Sequence, residues 1–195
     1  MRKNLKRGSL VTIVAMCLAL MFPVIQFTII DMGRLHTIRE QLKFNLSAAA
    51  AGAATFIDWD NTHTGDFRLD INSSADALYT CLRNNIDTSF TNNVTEFKSL
   101  GFLNGVYRYR GTIGNVTYYA EIYNSSGSAT LGGVRIPSDI TASPNLIINA
   151  NNPAVFIVAG YNFNPGFLRA VSNIGNLSIV QYASAELRPT DYELN

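Results

Sequence analysis

The residues best suited to hold a metal ion fall in one short stretch: Asp58, Asp60, Asn61, His63 and Asp66. Asp58-x-Asp60 followed by Thr62 offers several oxygens from one turn, which is what a hard cation such as calcium requires. The glycine of such a loop comes late, at Gly65, and no glutamate closes it. The same residues make an ordinary solvated linker, and that reading is preferred; no metal and no cofactor is expected. Nucleophilic catalysis needs a histidine beside a serine or cysteine. The two histidines are His36, between Arg34 and Arg39, and His63 in the polar stretch. No Gly-x-Ser-x-Gly elbow, phosphate-cradling glycine loop or Cys-x-x-Cys pair occurs, and the carboxylates farther along are scattered. Neither a catalytic residue nor a small-molecule substrate is expected. Cys17 and Cys81 are too few for a disulfide scaffold or a structural zinc site. Cys81 reads as a half-buried thiol on a helix, with a bridge to another chain as the alternative. Asn93, Asn115 and Asn176 each open an Asn-x-Ser/Thr triplet, most simply a by-product of an Asn-rich composition.

These residues belong to a chain of 195, of which 47% are hydrophobic and only 15% charged. An average globular domain carries about a quarter charged residues. The shortfall points to a membrane segment, to a β-rich surface of Asn, Ser and Thr, or to both. Arg2, Lys3, Lys6 and Arg7 supply four of the 15 basic residues, so the rest of the chain is slightly acidic. Nucleic acid, which would need a basic stripe, is set aside as a partner.

Leu10 to Ile30 is uncharged over 21 residues, long enough at the helical rise for the ~30 Å hydrocarbon core of a bilayer. The run exceeds the core of a cleavable secretory signal and no small-x-small site follows it, so the segment is expected to stay attached. Met16 is too bulky to precede a lipid-modified Cys17. Basic residues before the span and Asp31 after it predict a cytoplasmic amino end (residues 1–9), a transmembrane helix (10–30) and an extracytoplasmic remainder. Pro23 should loosen the span, and Gln26 is either a tolerated interfacial residue or a contact with other helices.

No break follows Ile30. Leu35, Ile38, Leu42, Leu46, Ala49 and Ala53 recur at spacings of three or four, the pattern of a helix face. The helix therefore continues through 31–57, giving about 45 residues and close to 70 Å in all. Its lower end, from Ala48 to Ala54 with Ala50 and Gly52, is narrow enough for another backbone to approach, from the rest of the chain or from a neighbouring subunit.

Arg7-Gly8-Ser9 ahead of the apolar run, Asp31-Met32-Gly33-Arg34-Leu35 at the membrane exit, Arg39, Leu42 and Ala50-Ala51-Gly52-Ala53 together resemble the amino-terminal segment of TadE/TadG-like pilus-assembly proteins, of tight-adherence (Flp) pilus systems. The match covers about the first 55 residues. Val155 to Pro165 and Ile179 to Arg188 look similar to the closing strands of such proteins. The resemblance implies Gly8 and Ser9 as the processing site of a prepilin, with Ile13 where the glutamate of processed relatives stands. It implies Asp31, Gly33 and Arg34 as the membrane-exit motif. It further implies a minor pseudopilin or assembly factor, with the membrane and other pilin, pseudopilin or pilus-assembly subunits as partners. Asp87-Thr88-Ser89 loosely matches the metal motif of larger relatives, but a helical pattern precedes it and helix-end capping explains it better.

Residues 58–195 make up the head. A linker with a short strand at Phe67 to Ile71 is expected first, then a helix from Ala75 to Phe90 with Ser74 as its cap. From Gly105 the period becomes two: Val106 to Ile113 and Val116 to Tyr123 flank the turn dipeptide Gly114-Asn115, a hairpin. Further strands fit Leu131 to Ile136, Leu146 to Ile148, Ala154 to Tyr161 and Leu177 to Leu187. The expected fold is α+β, pilin-like in layout: a long transmembrane-plus-amphipathic helix and one short helix packed on a mainly antiparallel sheet of four to six strands. Tyr107, Tyr109, Tyr118, Tyr119, Tyr123 and Tyr161 lie on those strands, either as a sticky outer face or as filling between sheet and helix. The alternative function is a membrane-tethered binding or adhesion module working alone; an extracytoplasmic enzyme is the third.

Overall fold

The computed structural model describes residues 2–62, 67–85, 94–103, 105–124, 130–135, 140, 145–149, 152–167, 169, 175 and 177–187. In chain order the elements are α1 (Arg2–Ala53), α2 (Trp59–Thr62), α3 (Ile71–Asn85), β1 (Val94–Leu103), β2 (Val106–Ile113), β3 (Val116–Tyr123), β4 (Thr130–Arg135), β5 (Asn145–Asn149), β6 (Ala154–Phe163) and β7 (Leu177–Glu186). The chain divides into two compact units, Met1–Ile38 with Phe163–Leu177, and Arg39–Asn162 with Ser178–Asn195.

Helix α1 is 52 residues long and carries Pro23 without ending there. Proline lacks the amide that would close one helical bond. Just beyond it the Thr28 hydroxyl donates to the Val24 carbonyl at 2.8 Å, as Thr37 does to Gly33 at 3.0 Å. The helix stops where Thr55 turns both its amide (3.4 Å) and its hydroxyl (2.7 Å) onto the Gly52 carbonyl, which tightens the last turn.

Helix α3 begins at Asp70, not at the expected Ser74. The Asp70 carboxylate accepts the Asn72 amide at 3.1 Å and the Ser73 hydroxyl at 2.5 Å, the bonding of an N-cap. The hydrogen bond from Ser73 holds the Asp70 carboxyl below the usual carboxylate range. Ser74 is instead a buried interior residue in line with Leu78 and Leu82, and this stripe faces the sheet. The expected helix end at Ile86 to Phe90 lies outside the described residues. The expected strand at Phe67 to Ile71 reduces to a single antiparallel bridge between Ile57 and Leu69. The Asn124 side chain holds it by accepting the Leu69 amide at 2.7 Å and donating to the Leu69 carbonyl at 3.0 Å.

The main sheet is five-stranded, in the order β1-β2-β3-β6-β7, and antiparallel. The hairpin read from Gly114-Asn115 pairs in full register from Val106↔Tyr123 to Ile113↔Val116. Gly114 takes a positive φ of 58°, which a side chain would oppose. Strands β4 and β5 form a separate two-stranded ribbon, inserted between β3 and β6.

Residues opposite one another in the ladder share a face. Tyr118, Ala120 and Ile122 lie with Tyr109 and the α3 side, joined through Tyr79 and Phe97, whose ring centroids are 6.3 Å apart. On the other face Tyr119, Phe156 and Val158 close around Ile140, with Val180 beside them. A Cβ on Gly160 would come within 3.0 Å of the Ile140 side chain, so the strand needs glycine there. With both faces covered, Tyr118, Tyr119, Tyr123 and Tyr161 are all buried. Alternation therefore does not turn half of these rings to solvent.

Candidate functional site

The element that sets this chain apart is α1, and its two halves meet different surroundings. From Leu10 to Ile30 it offers large apolar side chains, among them Leu10, Ile13, Met16, Leu20, Phe22 and Ile29, and all of these are exposed. It is one helix long and apolar enough to cross a membrane, with none of its most apolar stretch buried by protein. A single helix of this length and composition matches single-pass anchoring. Cys17 is exposed within it.

At the end of the apolar run Asp31 is only 4% exposed. Its Oδ2 accepts the backbone amide of Phe167 at 3.0 Å, and the Phe167 ring stacks on Phe27 at 5.0 Å between centroids. Gly33 and Arg34, the other residues of the exit motif, are exposed, and a Cβ on Gly33 would touch nothing within 4 Å. The structure thus gives Asp31 a packing role in its own subunit. Gly8 and Ser9 lie in the opening turns of α1.

The stripe on the second half of α1 divides. Leu35 and Ile38 are half-buried, whereas Leu42, Leu46, Ala49, Ala50 and Ala53 are buried inside the head unit. A Cβ on Gly52 would stand 3.4 Å from Cys81 Sγ on α3, so the small residue there leaves room for the cysteine side chain. The side chains of Leu42, Leu46, Ala49, Ala50 and Ala53 are thus covered by their own chain and are not free to pack on another one, whereas Phe44 on another side of the same helix is 70% exposed. Cys81 is half-buried on α3, as its spacing suggested.

The polar stretch after α1 shows how its first carboxylate is used. Asp58 Oδ1 accepts the Asp60 amide at 3.2 Å, which caps the single turn of α2. His63 and Asp66 lie outside the described residues. Among the described residues no three His, Cys, Asp or Glu side chains gather as a metal site.

Two arrangements in the head carry polar chemistry that spacing did not reveal. Glu121, 4% exposed on β3, accepts from the Tyr119 hydroxyl at 2.6 Å and from Arg108 Nε on β2 at 3.1 Å. The Arg108↔Glu121 register of the hairpin puts them opposite each other, and that register was legible in principle once the Gly114 turn was fixed. The second is an open groove of about 810 Å³ between α3 and strands β1 and β2, lined by Asp76, Tyr79, Arg83, Phe97, Tyr107 and Tyr109. Burial first, then Tyr107 and Asp76, push the Tyr109 phenol up.

Burial also raises the Tyr118 phenol well above its ordinary value of about 10, and its hydroxyl has no hydrogen-bond partner among the described residues. An unmatched buried hydroxyl costs about 1 kcal/mol or more. Tyr118→Phe is therefore expected to stabilise the head by about that amount at neutral pH. A raised folded-state pKa favours the folded form below the unfolded value of about 10, and this contribution is lost as pH climbs through the folded value. The wild type should lose stability above about pH 10, and Tyr118→Phe should lose less. Urea midpoints at neutral and alkaline pH check both signs.

Comparison of the chain with protein-family models, with curated proteins and with solved structures finds no match in any of the three.

Proposed function

We propose that this chain is a membrane-anchored, non-catalytic subunit of a tight-adherence (Flp) type surface pilus: a minor pseudopilin or assembly factor of the TadE/TadG-like class. The observation that supports this reading is α1 itself. One unbroken helix is bare and apolar in its first half and built into a β-rich head in its second. Arg2, Lys3, Lys6 and Arg7 would keep its amino end in the cytoplasm, leaving the head outside.

In this mechanism the bare half does the work. Lipid covers Leu10 to Ile30 while the subunit waits in the membrane. In a filament, neighbouring helices replace the lipid, and Met32 and the 70%-exposed Phe44 extend the contact along the same helix. Outside lipid, covering about 500 Å² of apolar surface is worth about 12 kcal/mol before ordering costs. No bond is made or broken, so the head needs no catalytic group. Recovery of the chain from filaments sheared off native cells, with Leu10 to Ile30 still attached, tests the reading. A chain found only as a soluble fragment would overturn it.

A second reading, a tethered binding or adhesion module, draws on the groove between α3 and β1–β2. Its aromatic walls and its mixture of Asp76 and Arg83 suit a short peptide or a small zwitterion better than a flat surface.

A further inference from the structure

We infer that the turn at Gly166 and Phe167, which follows β6, is a second membrane contact, with Phe167 seated in the lipid interface where α1 leaves the bilayer. The inference rests on the reading that α1 spans the membrane. Phe27 is four residues before Asp31, the first charge after the apolar run, and so lies about 6 Å deeper along the helix. The Phe167 ring stacks on Phe27 at 5.0 Å between centroids and so lies within 5 Å of its depth, below the level of Asp31.

Gly166, Phe167 and Arg169 are helical, and the first amides of a helix have no partner within it; in lipid no water is there to bond them. Asp31 answers that need at this point, because its Oδ2 takes the Phe167 amide at 3.0 Å. The same contact gives an acidic side chain at the membrane boundary, 4% exposed, a partner in place of water. Arg169, two residues on, is exposed. An aromatic ring at the acyl boundary with a guanidinium near the phosphates is the usual chemistry of an interfacial anchor. The occupant of this surface is therefore lipid, an acyl boundary beneath phosphate headgroups.

The test uses the full chain in phosphatidylcholine vesicles containing anionic lipid. Trp59 is the one tryptophan, so Trp59→Phe gives a silent background for Phe167→Trp. Emission from this variant is expected to be blue-shifted, to be lost mostly to lipids brominated on their acyl chains, and to resist aqueous iodide. The unmodified protein, reporting from exposed Trp59, should behave the opposite way. Phe22→Trp in the same background reports on α1 alone. Quenching by brominated chains at position 22 but not at 167 overturns the second contact and leaves the span standing. No quenching at either position overturns both.

Discussion

Leu46→Ala is expected to destabilise the head by about 3 kcal/mol, within the range for emptying a fully buried leucine site. Leu46 is 0% exposed, in the half of α1 that belongs to the head. The loss should appear as a drop of roughly 10 °C in the thermal midpoint, followed by near-ultraviolet circular dichroism of detergent-solubilised protein. Leu20→Ala on the same helix should leave that midpoint unchanged, because Leu20 is 70% exposed and lies outside the head. Equal effects at the two positions would mean that α1 is not divided into a lipid half and a core half. Ala50→Trp belongs with Leu46. Ala50 is 0% exposed, so a larger ring there overpacks the head, and any failure of assembly would report on folding first.

Arg108→Leu is expected to cost about 2–3 kcal/mol, more than Glu121→Leu. The two side chains form one ion pair, but they sit at different depths. Glu121 is 4% exposed and Arg108 34%. Removing the arginine strands a buried carboxylate with, among the described residues, the Tyr119 hydroxyl as its remaining side-chain donor. Removing the glutamate leaves a cation that can turn toward water, plus a phenol that must find another acceptor. Partial exposure of Arg108 screens the pair, which is why the figure is set below that of a fully buried bridge. Urea unfolding of both single variants and of the double variant measures the order. A larger loss for Glu121→Leu would contradict the asymmetry.

What the sequence made legible was the periodic part. An uncharged run followed by a three-and-four stripe marks one continuous helix, because no proline falls between Asp31 and Phe56 to break it. Gly114-Asn115 marks the hairpin, because its geometry needs the positive φ that Gly114 adopts. Strand β1 was missed for a physical reason: its register shifts twice against β2, and Gly101 has a φ of 103°, so no clean alternation survives in Val94–Leu103. The cap at Asp70 was missed because Ser74 also fits the pattern of a cap and only tertiary burial tells the two apart. The destination of the alanine stripe was illegible too. Small residues announce close approach without saying what approaches, and at Gly52 it is the Cys81 side chain of α3 in the same chain. Asp31 was singled out for its place at the membrane exit. Its partner lies 136 residues away, and no local pattern points to it.

The central claim is that α1 remains a permanent spine, apolar span included. It is tested most directly by the starting residue of the mature chain, read by mass spectrometry in membrane and sheared-surface fractions of native cells. The expected result is that every form begins at or before Ser9, with Leu10 to Ile30 intact. A chain starting at Ser9 in the sheared fraction identifies a filament subunit, and one retaining Gly8 in the membrane identifies an anchored assembly factor. A mature chain that starts beyond Ile30 and is released from the cell would contradict the claim.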